Sequence, residues 1–533
     1  MNLYPNVSNK FKQLLLISCC ILSVAGCSTI VTNNQKVAKQ TNKNITQPAN
    51  KKPNVIWLVL EDISLEVGSY GDTLVKTPNL DKLSKMGTRY TNAYATSPVC
   101  SPTRSAFFTG MNQTSIGAHH HRSHLKDGYQ LPNHVKMLSE YLRDEGYYNL
   151  LMGPKQKTDF NFSHIVSAFD ATDGEIKYSG GAYTHAPIDR KILGHRAWNQ
   201  YKKEAPEKPF FAQINYSETH RTFIADPKNP INPDDVKLPS YYPDHELARR
   251  DWALYLETVQ TVDQKVGNLM AELEAAGALE NTIVFVFGDH GRAMLRDKQW
   301  LYDGGLRVPL IVFGKGIAQG KVSDELVSLI DLAPTTLDII GADVPDYMEG
   351  HVFIGKNTKP RNHVFAQRDR CDETDDRIRS VRGKRFHYIK NFYPEQPYTQ
   401  FNAYKKLQYP VLTLMQKLHE EGKLTPTQAL FFADSRPPEE LYDTYSDPEE
   451  INNLADDPRY KAQLVRMRNE LTNWQERTGD MGMIDEAPED IAYWDNFFVK
   501  HFKEEMNSRG LPANVDHDTY LKWWDKFLKD LGK

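Results

Sequence analysis

The sequence predicts an α/β protein: a large domain with a mostly parallel sheet sandwiched by helices, followed by a smaller α+β domain with an antiparallel sheet. Three observations carry this. Short, continuous apolar runs rich in β-branched residues recur along the chain, as strands buried on both faces require. Amphipathic helical segments alternate with them, the order that builds parallel sheets. Past residue 355 the texture changes to a strand–turn–strand pattern and helices, and 533 residues exceed one average domain.

The elements follow in order. Lys10 and Lys12 precede a short apolar run that ends in "LSVAGCST". The run is too short to span a bilayer stably. Leu22, Ala25, Gly26 and Cys27 resemble a bacterial lipobox, which predicts a signal peptide over residues 1–26 and lipidation (palmitate among the acyl chains) at Cys27. Several acyl chains on one residue anchor a protein where one does not. Residues 27–52 read as a polar tether that cannot bury enough apolar surface to fold. Ser28 carries no inner-membrane retention signal, so an exported protein on the outer membrane, facing periplasm or cell surface, is expected.

"NVIWLVL" (54–60) reads as a buried strand. "TPNLDKLSKMG" reads as a helix with Thr77 as cap, Pro78 at its first position and Gly87 as stop. "VKMLSEYLRDEG" places Val135, Leu138 and Leu142 on one helical face and stops at Gly146. "YNLLM" is a strand, 248–276 a long amphipathic helix, and "TIVFVF" (282–287) a buried strand. Gly304-Gly305 suggests a tight turn before the strand "RVPLIVFG". "DLAPTTLDIIG" is a helix with Asp331 as its cap. In the second domain "SVRGKRFHYIKNF" reads as an antiparallel strand pair, and "TLMQKLHEEGKL" and "AQLVRMRNELTNW" as helices. The boundary is set at 53–355 for the first domain and 356–533 for the second.

Hydrophobic content of 40%, charged content of 25% and a net charge of −4 describe an ordinary soluble domain with no basic surface for nucleic acid. Aromatic content of 11% suits sugar stacking and core packing equally. Of five cysteines, Cys19 and Cys20 fall in the signal and Cys27 carries lipid. Cys100 and Cys371 remain, and one pair is no disulfide framework for a chain this size.

Acidic residues stand at two strand ends: Glu61-Asp62 after the first strand, and Asp289-His290 after "TIVFVFG". In parallel sheets the site forms past the strand C-termini, and carboxylates converging there suit a hard cation. Cys100-Ser101-Pro102-Thr103-Arg104 opens a helix, whose N-terminus favours an anion. Together with "PNVIWLVLEDIS", "TPNLDKLSKMGTRYTNAYAT", "FGDHG", "LYDGGLRVPLIV" and "ELYDTYSDPEEINNLADDP", this motif resembles the type I, formylglycine-dependent sulfatases of the alkaline phosphatase superfamily, over residues 53–460. "TSIGAHHHRSH", "KTDFNF" and "RDRCDETDDRIRSVRGKRFHYIKNFYPEQPY" are similar to heparan N-sulfatase-like and marine polysaccharide sulfatases.

The resemblance implies that Cys100 is matured to Cα-formylglycine by a formylglycine-generating or sulfatase-maturating enzyme. Hydrated, it offers two hydroxyls on one carbon, one to attack sulfur and one to eject sulfate, so that a hard step is split in two. Glu61, Asp62, Asp289 and His290 would hold a cation, calcium or else magnesium, together with residue 100. Arg104 would hold the diol, Lys157 and Lys298 the sulfate. His220 would protonate the leaving oxygen, and Asp289 would take the nucleophile's proton. Two positions depart from the family pattern: Glu61 stands for an aspartate, and Lys157-Thr158-Asp159 stands for Lys-x-His. Asp159 is therefore placed beside the substrate, with His119, His120, His121 or His124 as compensating groups; His120 and His121 are taken as substrate-binding. Arg370 is expected either to bind a carboxylate or second sulfate of the neighbouring sugar or to pair with nearby acids.

The expected activity is hydrolysis of sulfate esters on a sulfated polysaccharide or oligosaccharide. Two alternatives remain open, a phosphonate or phosphodiester hydrolase on the same fold and a surface glycan-binding lipoprotein without activity, while a thiol nucleophile at Cys100 is argued against by its loop. The cysteine phosphatase loop requires arginine at position 106, which here is Ala106.

Overall fold

The computed structural model describes residues 51–153, 156–163, 168–173, 183–184 and 196–533. The lipobox with Cys27 lies outside them. Strand β1 (Asn54–Leu60) occupies an interior position of an eight-stranded sheet. The others, in chain order, are β2 (Gly87–Tyr94), β3 (Tyr148–Met152), β4 (Gln156–Lys157), β5 (Ala171–Thr172), β6 (Tyr183–Thr184), β7 (Phe210–Tyr216), β8 (Thr282–Gly288), β9 (Arg307–Gly314) and β10 (Lys321–Ser328). The sheet order is β10-β2-β9-β8-β1-β7-β3-β5, and the short β4 and β6 pair separately. Only β9 runs against its neighbours.

Both faces of this sheet are covered, which is why its strands are apolar throughout rather than alternating. Ile56, Leu58 and Leu60 point into one core, with Leu80, Leu83 and the helix Glu246–Ala275. Val55, Trp57 and Val59 point into the other, with Phe107, Phe108 and Leu337. Trp57 is fully buried, edge-on to Phe107, Phe108, Phe211 and Phe287, and its indole N–H donates to Thr336 at 3.2 Å. Truncating such a residue to alanine typically costs about 3–5 kcal/mol.

The strand register sets the site. Leu60 pairs with Tyr216 on one side and Gly288 on the other. The residues that follow therefore leave the sheet side by side: Glu61 N–H donates to the Tyr216 carbonyl at 2.9 Å, and Asp289 N–H to the Leu60 carbonyl at 3.2 Å.

Several local expectations change. Helix α1 (Pro78–Met86) begins where expected, but Thr77 does not cap it; the Thr77 hydroxyl accepts from Gly68 N–H at 2.8 Å. The cap comes from Asp263 of the long helix, which accepts from Asn79 N–H at 3.2 Å and Leu80 N–H at 2.7 Å. Asp331 likewise does not cap the helix Leu332–Ile340: its carboxylate takes the N–H groups of Ser328 and His351 and the Arg361 guanidinium. Gly87 opens β2 directly, and a Cβ there would lie 2.1 Å from the Val312 carbonyl. Gly304-Gly305 sits in the short helix Asp303–Leu306; added Cβ atoms would fall 1.9 Å from Asp297 Oδ1 and 2.2 Å from the Asp297 carbonyl. Close approach, not a turn, demands glycine at these positions.

A separate antiparallel sheet runs β11 (Val364–Arg368), β12 (Ile378–Arg382), β13 (Phe386–Asn391) and β14 (Glu439–Asp443). Helix Lys461–Thr478 covers it with Leu464, Met467, Leu471 and Trp474. Arg382 of β12 grips Asp303 with two bonds of 3.0 Å, and Tyr302 donates to Glu440 of β14 at 2.9 Å. These ties hold the segment that carries Lys298. Helices Pro488–Ser508 and His517–Asp530 close the chain and were not read from the sequence. Among the described residues no helix is long and apolar enough to cross a membrane.

Candidate active site

Helix α2 (Cys100–Thr109) puts Cys100 in its first turn, without a side-chain cap. All ten of its residues are buried. The Thr103 hydroxyl straps the turn down, donating to the Ser97 carbonyl at 2.7 Å and accepting Ser97 N–H at 3.0 Å. Cys100 Sγ lies 3.1 Å from His290 Nε2, 3.8 Å from Asp62 Oδ1 and 3.8 Å from Lys298 Nζ. Cys100 and Cys371 are both buried and free, so they form no disulfide. Burial pushes the Cys100 thiol well up, and Asp289, Asp62 and Asp159 add to this against Lys298. An unmodified thiol here is a poor nucleophile.

Ligand atoms of Asp62, Cys100, Asp289 and His290 lie within 4.8 Å of one another, and all four residues are buried. His290 Nδ1 sits 2.9 Å from the Gly291 carbonyl, which can only accept, so this nitrogen carries the proton. Nε2 is left facing Asp62 Oδ1 at 3.1 Å and Cys100. That is the arrangement of a metal-ligating imidazole, whose other N–H is held by a carbonyl. Two carboxylates, an imidazole and residue 100 fit a divalent cation. Lys298 Nζ lies 2.6 Å from Asp62 Oδ2. Burial opposes the charge on Asp62, yet Lys298, His290 and His220 outweigh it and hold the carboxyl far below its ordinary range. Lys298 is held charged in turn, against burial, by Asp62 and Cys100.

Arg104, fully buried, turns to Asp289: Nε to Oδ2 is 3.0 Å and Nη2 to Oδ2 is 2.9 Å, while Nη1 donates to Asn215 at 3.0 Å. It thus orders Asp289, whose Oδ1 also accepts Asp62 N–H at 3.0 Å and His290 N–H at 2.9 Å. Glu61 stands apart from the four-residue group. Its carboxylate lies 3.8 Å from Arg104 Nη2 and groups instead with Cys100 and Asp159. Asp159, in a left-handed conformation (φ 53°), is thereby brought to residue 100. Lys157 belongs to β4, and its side chain lies outside the described residues. His220 is half-buried, with Nδ1 2.8 Å from the Arg221 carbonyl, which can only accept, so Nδ1 carries a proton and Nε2 bears one only in the imidazolium.

The remaining expected residues go elsewhere. Arg370 is 1% exposed and is held by Glu486 in a two-pronged ion pair, Nε–Oε2 2.6 Å and Nη2–Oε1 3.0 Å, with Nη1 donating to the Asp372 carbonyl at 2.8 Å. Its guanidinium is committed to the protein. The reading of Arg370 as a substrate arginine is replaced by a structural one, and the acid it pairs with lies 116 residues away, outside the local cluster. His121 Nδ1–H donates to Asp372 at 2.8 Å, and His120 Nδ1 stands 3.7 Å from Glu486. Asn215 at the end of β7 and Tyr404, whose ring lies 5.5 Å from His220 and 5.2 Å from Lys298 Nζ, were not read from the sequence. Asn215 is a polar residue at the end of a buried strand, next to its final residue Tyr216, a signal close to that of Glu61-Asp62.

The groups that gather past the strand ends form a buried cluster around Cys100, with the make-up of a hydrolytic metal site. A family model described as sulfatase matches residues 53–342, and one described as N-sulphoglucosamine sulphohydrolase, C-terminal, matches 288–411. An ulvan-active sulfatase of Formosa agariphila is 34% identical over 527 residues, covering 90% of this chain and 84% of the relative. Human N-sulphoglucosamine sulphohydrolase is 27% identical over 470 residues, covering 80% and 90%. Among solved structures, BT4656 in complex with D-glucosamine-2-N,6-O-disulfate superposes with a TM-score of 0.59 at 18% identity, covering 81% of this chain and 99% of that one. The phosphonate monoester hydrolase of Agrobacterium radiobacter gives 0.59 at 19%, covering 80% and 96%. The structural likeness carries the fold alone; the sequence matches decide the family. The chain belongs to the sulfatase family, and it is a sulfuric ester hydrolase.

Proposed function

We propose that this sulfatase removes sulfate from a sulfated polysaccharide or its fragments, using formylglycine at position 100 and a bound calcium ion. The observation that carries the reading is the placement of Cys100: first turn of a buried helix, 3.1 Å from a metal-type histidine and 3.8 Å from a lysine. The relatives that are named for ulvan and for N-sulphoglucosamine support the substrate class.

Asp62, Asp289, His290 and residue 100 would hold the cation, with Glu61 as a flanking carboxylate. Mostly oxygen donors favour calcium, with magnesium as the smaller alternative. A divalent cation supplies Lewis-acid polarisation of a sulfate oxygen, and a formylglycine hydrate supplies a nucleophilic hydroxyl. The chain's own groups do the rest. Asp289, oriented by Arg104, takes the proton of that hydroxyl. Lys298, with Lys157, binds sulfate and neutralises charge that grows on its oxygens. His220, as the imidazolium, delivers the Nε2 proton to the leaving oxygen, with Nδ1–H held by the Arg221 carbonyl. Asp159 and Glu61 flank residue 100.

Maturation by a formylglycine-generating or sulfatase-maturating enzyme, lipidation at Cys27 and an outer-membrane location follow from the same reading. Residues 53–355 then act as the catalytic domain and 356–533 as the part that overhangs it. Mass spectrometry of the peptide containing residue 100 tests the reading: sulfur is replaced by oxygen in active protein. Active protein that keeps a free Cys100 thiol would refute it. Cys100→Ser is expected to be inactive in a host that matures only cysteine.

A further inference from the structure

A short helix past the second-domain boundary, Ala403–Gln408, is tied to two catalytic segments at once. At its last residue the guanidinium of Arg221, next in the chain to His220, donates to the Gln408 carbonyl at 2.8 Å. Nearer its start, Lys405 Nζ donates to the Leu295 carbonyl at 3.0 Å, three residues before Lys298. Both ties are themselves anchored. Asp251 grips Arg221 with two bonds of 2.7 Å, and the Asn402 side chain caps the helix, accepting Lys405 N–H at 2.9 Å.

Tyr404 stands on this helix and touches both catalytic side chains. Its ring centre is 5.5 Å from that of His220, with the planes tilted by 49°, and 5.2 Å from Lys298 Nζ, which lies over it. Tyr409 backs the ring edge-on at 5.6 Å, and Arg221 covers the Tyr409 ring in turn at 4.3 Å. The ring, not the hydroxyl, makes these contacts. His220 Nδ1 is already held by the Arg221 carbonyl at 2.8 Å, so a ring packed on the imidazole fixes its plane about that bond. The buried ammonium of Lys298 has Asp62 on one side at 2.6 Å, and the electron-rich face of the ring gives it a second hold.

We propose that Tyr404 is a positioning residue: its ring sets His220 and Lys298 relative to each other, so that a helix from the C-terminal part of the chain completes the active site. The inference rests on the roles proposed above for His220 and Lys298, and Tyr404 acts through them.

The test compares, in matured full-length protein, Tyr404→Phe, which keeps the ring, with Tyr404→Leu, which keeps much of the bulk and loses the ring. Tyr404→Leu is expected to lower kcat on the sulfated oligosaccharide that the wild type turns over fastest by about 10²-fold, the cost of misplacing a reacting group by about 1 Å. On nitrophenyl sulfate, whose oxygen leaves without help, the fall in kcat should be much smaller. The inhibition constant of inorganic sulfate should rise about tenfold, the worth of a desolvated cation–π contact. Tyr404→Phe should match the wild type in all three. Added to His220→Ala, Tyr404→Leu should leave the ratio of the two kcat values where His220→Ala alone puts it, because nothing remains to be positioned; a further fall in that ratio would overturn the proposal. Tyr404→Met, flexible and apolar, repeats the series should leucine lower Tm. If His220→Ala separates the two substrates and neither ringless variant does, the proposal fails and the reading of His220 stands. If His220→Ala does not separate them, the reading of His220 fails and the proposal with it. Tyr404→Phe as damaged as Tyr404→Leu would also overturn it.

Discussion

Arg104 and Asp289 form a fully buried ion pair, Nη2 to Oδ2 2.9 Å, that joins the first turns of the catalytic helix to the end of β8. The pair puts the residue that follows a strand and the arginine four positions after Cys100 into one rigid unit. Asp289 is fixed on both oxygens, by Arg104 on one and by two backbone N–H groups on the other. Such preorganisation lets a site act on developing charge without reorganising.

Removing the cation is expected to abolish turnover. Exhaustive chelation should lower kcat, and calcium should restore it and raise Tm. Asp62→Asn and Asp289→Asn should each lose at least about 10²-fold in kcat and lose the calcium-induced rise in Tm. A rate that survives chelation would remove the metal from the mechanism.

His220→Ala separates proton delivery from binding. On a sugar sulfate, whose alkoxide leaves poorly, kcat should fall about 10²–10⁴-fold. On nitrophenyl sulfate, whose oxygen leaves without help, the fall should be much smaller. Equal losses on both substrates would give His220 a different role.

Arg370→Ala should act on stability. It leaves Glu486 without its partner in a buried setting, a loss of about 3–5 kcal/mol, and also removes the guanidinium from the Trp494 face, 5.1 Å away. Arg370→Met combined with Glu486→Leu should recover most of the Tm. A selective fall in kcat/KM on oligosaccharide at an unchanged Tm would return Arg370 to the substrate site.

Gly291→Ala tests the packing under His290. The new Cβ would fall 2.0 Å from the Gly304 carbonyl, so the two segments must part. Overpacking of this kind costs about 1–3 kcal/mol, and the displaced His290 should weaken calcium binding as well, read as a smaller calcium-induced shift in Tm. Wild-type metal response in the variant would show that the backbone yields elsewhere.

The sequence by itself determined the strands, the carboxylates at their ends and the Cys100 motif. These are local signals: an apolar run such as Asn54–Leu60 is buried on both faces whatever its neighbours, and polar groups just past such runs must gather at one edge of a parallel sheet. Only the tertiary structure decided partners. Thr77 and Asp331 carry cap chemistry, but distant groups took their places or their hydrogen bonds. Glu61 adjoins Asp62 in the chain yet turns toward Arg104 and Asp159, because successive residues leaving a strand point to opposite sides. Arg370 sits in an acid-rich segment and still pairs with Glu486, 116 residues on. A buried arginine must find a carboxylate, and which one comes within reach depends on how the final helices pack, a long-range outcome that no local pattern encodes.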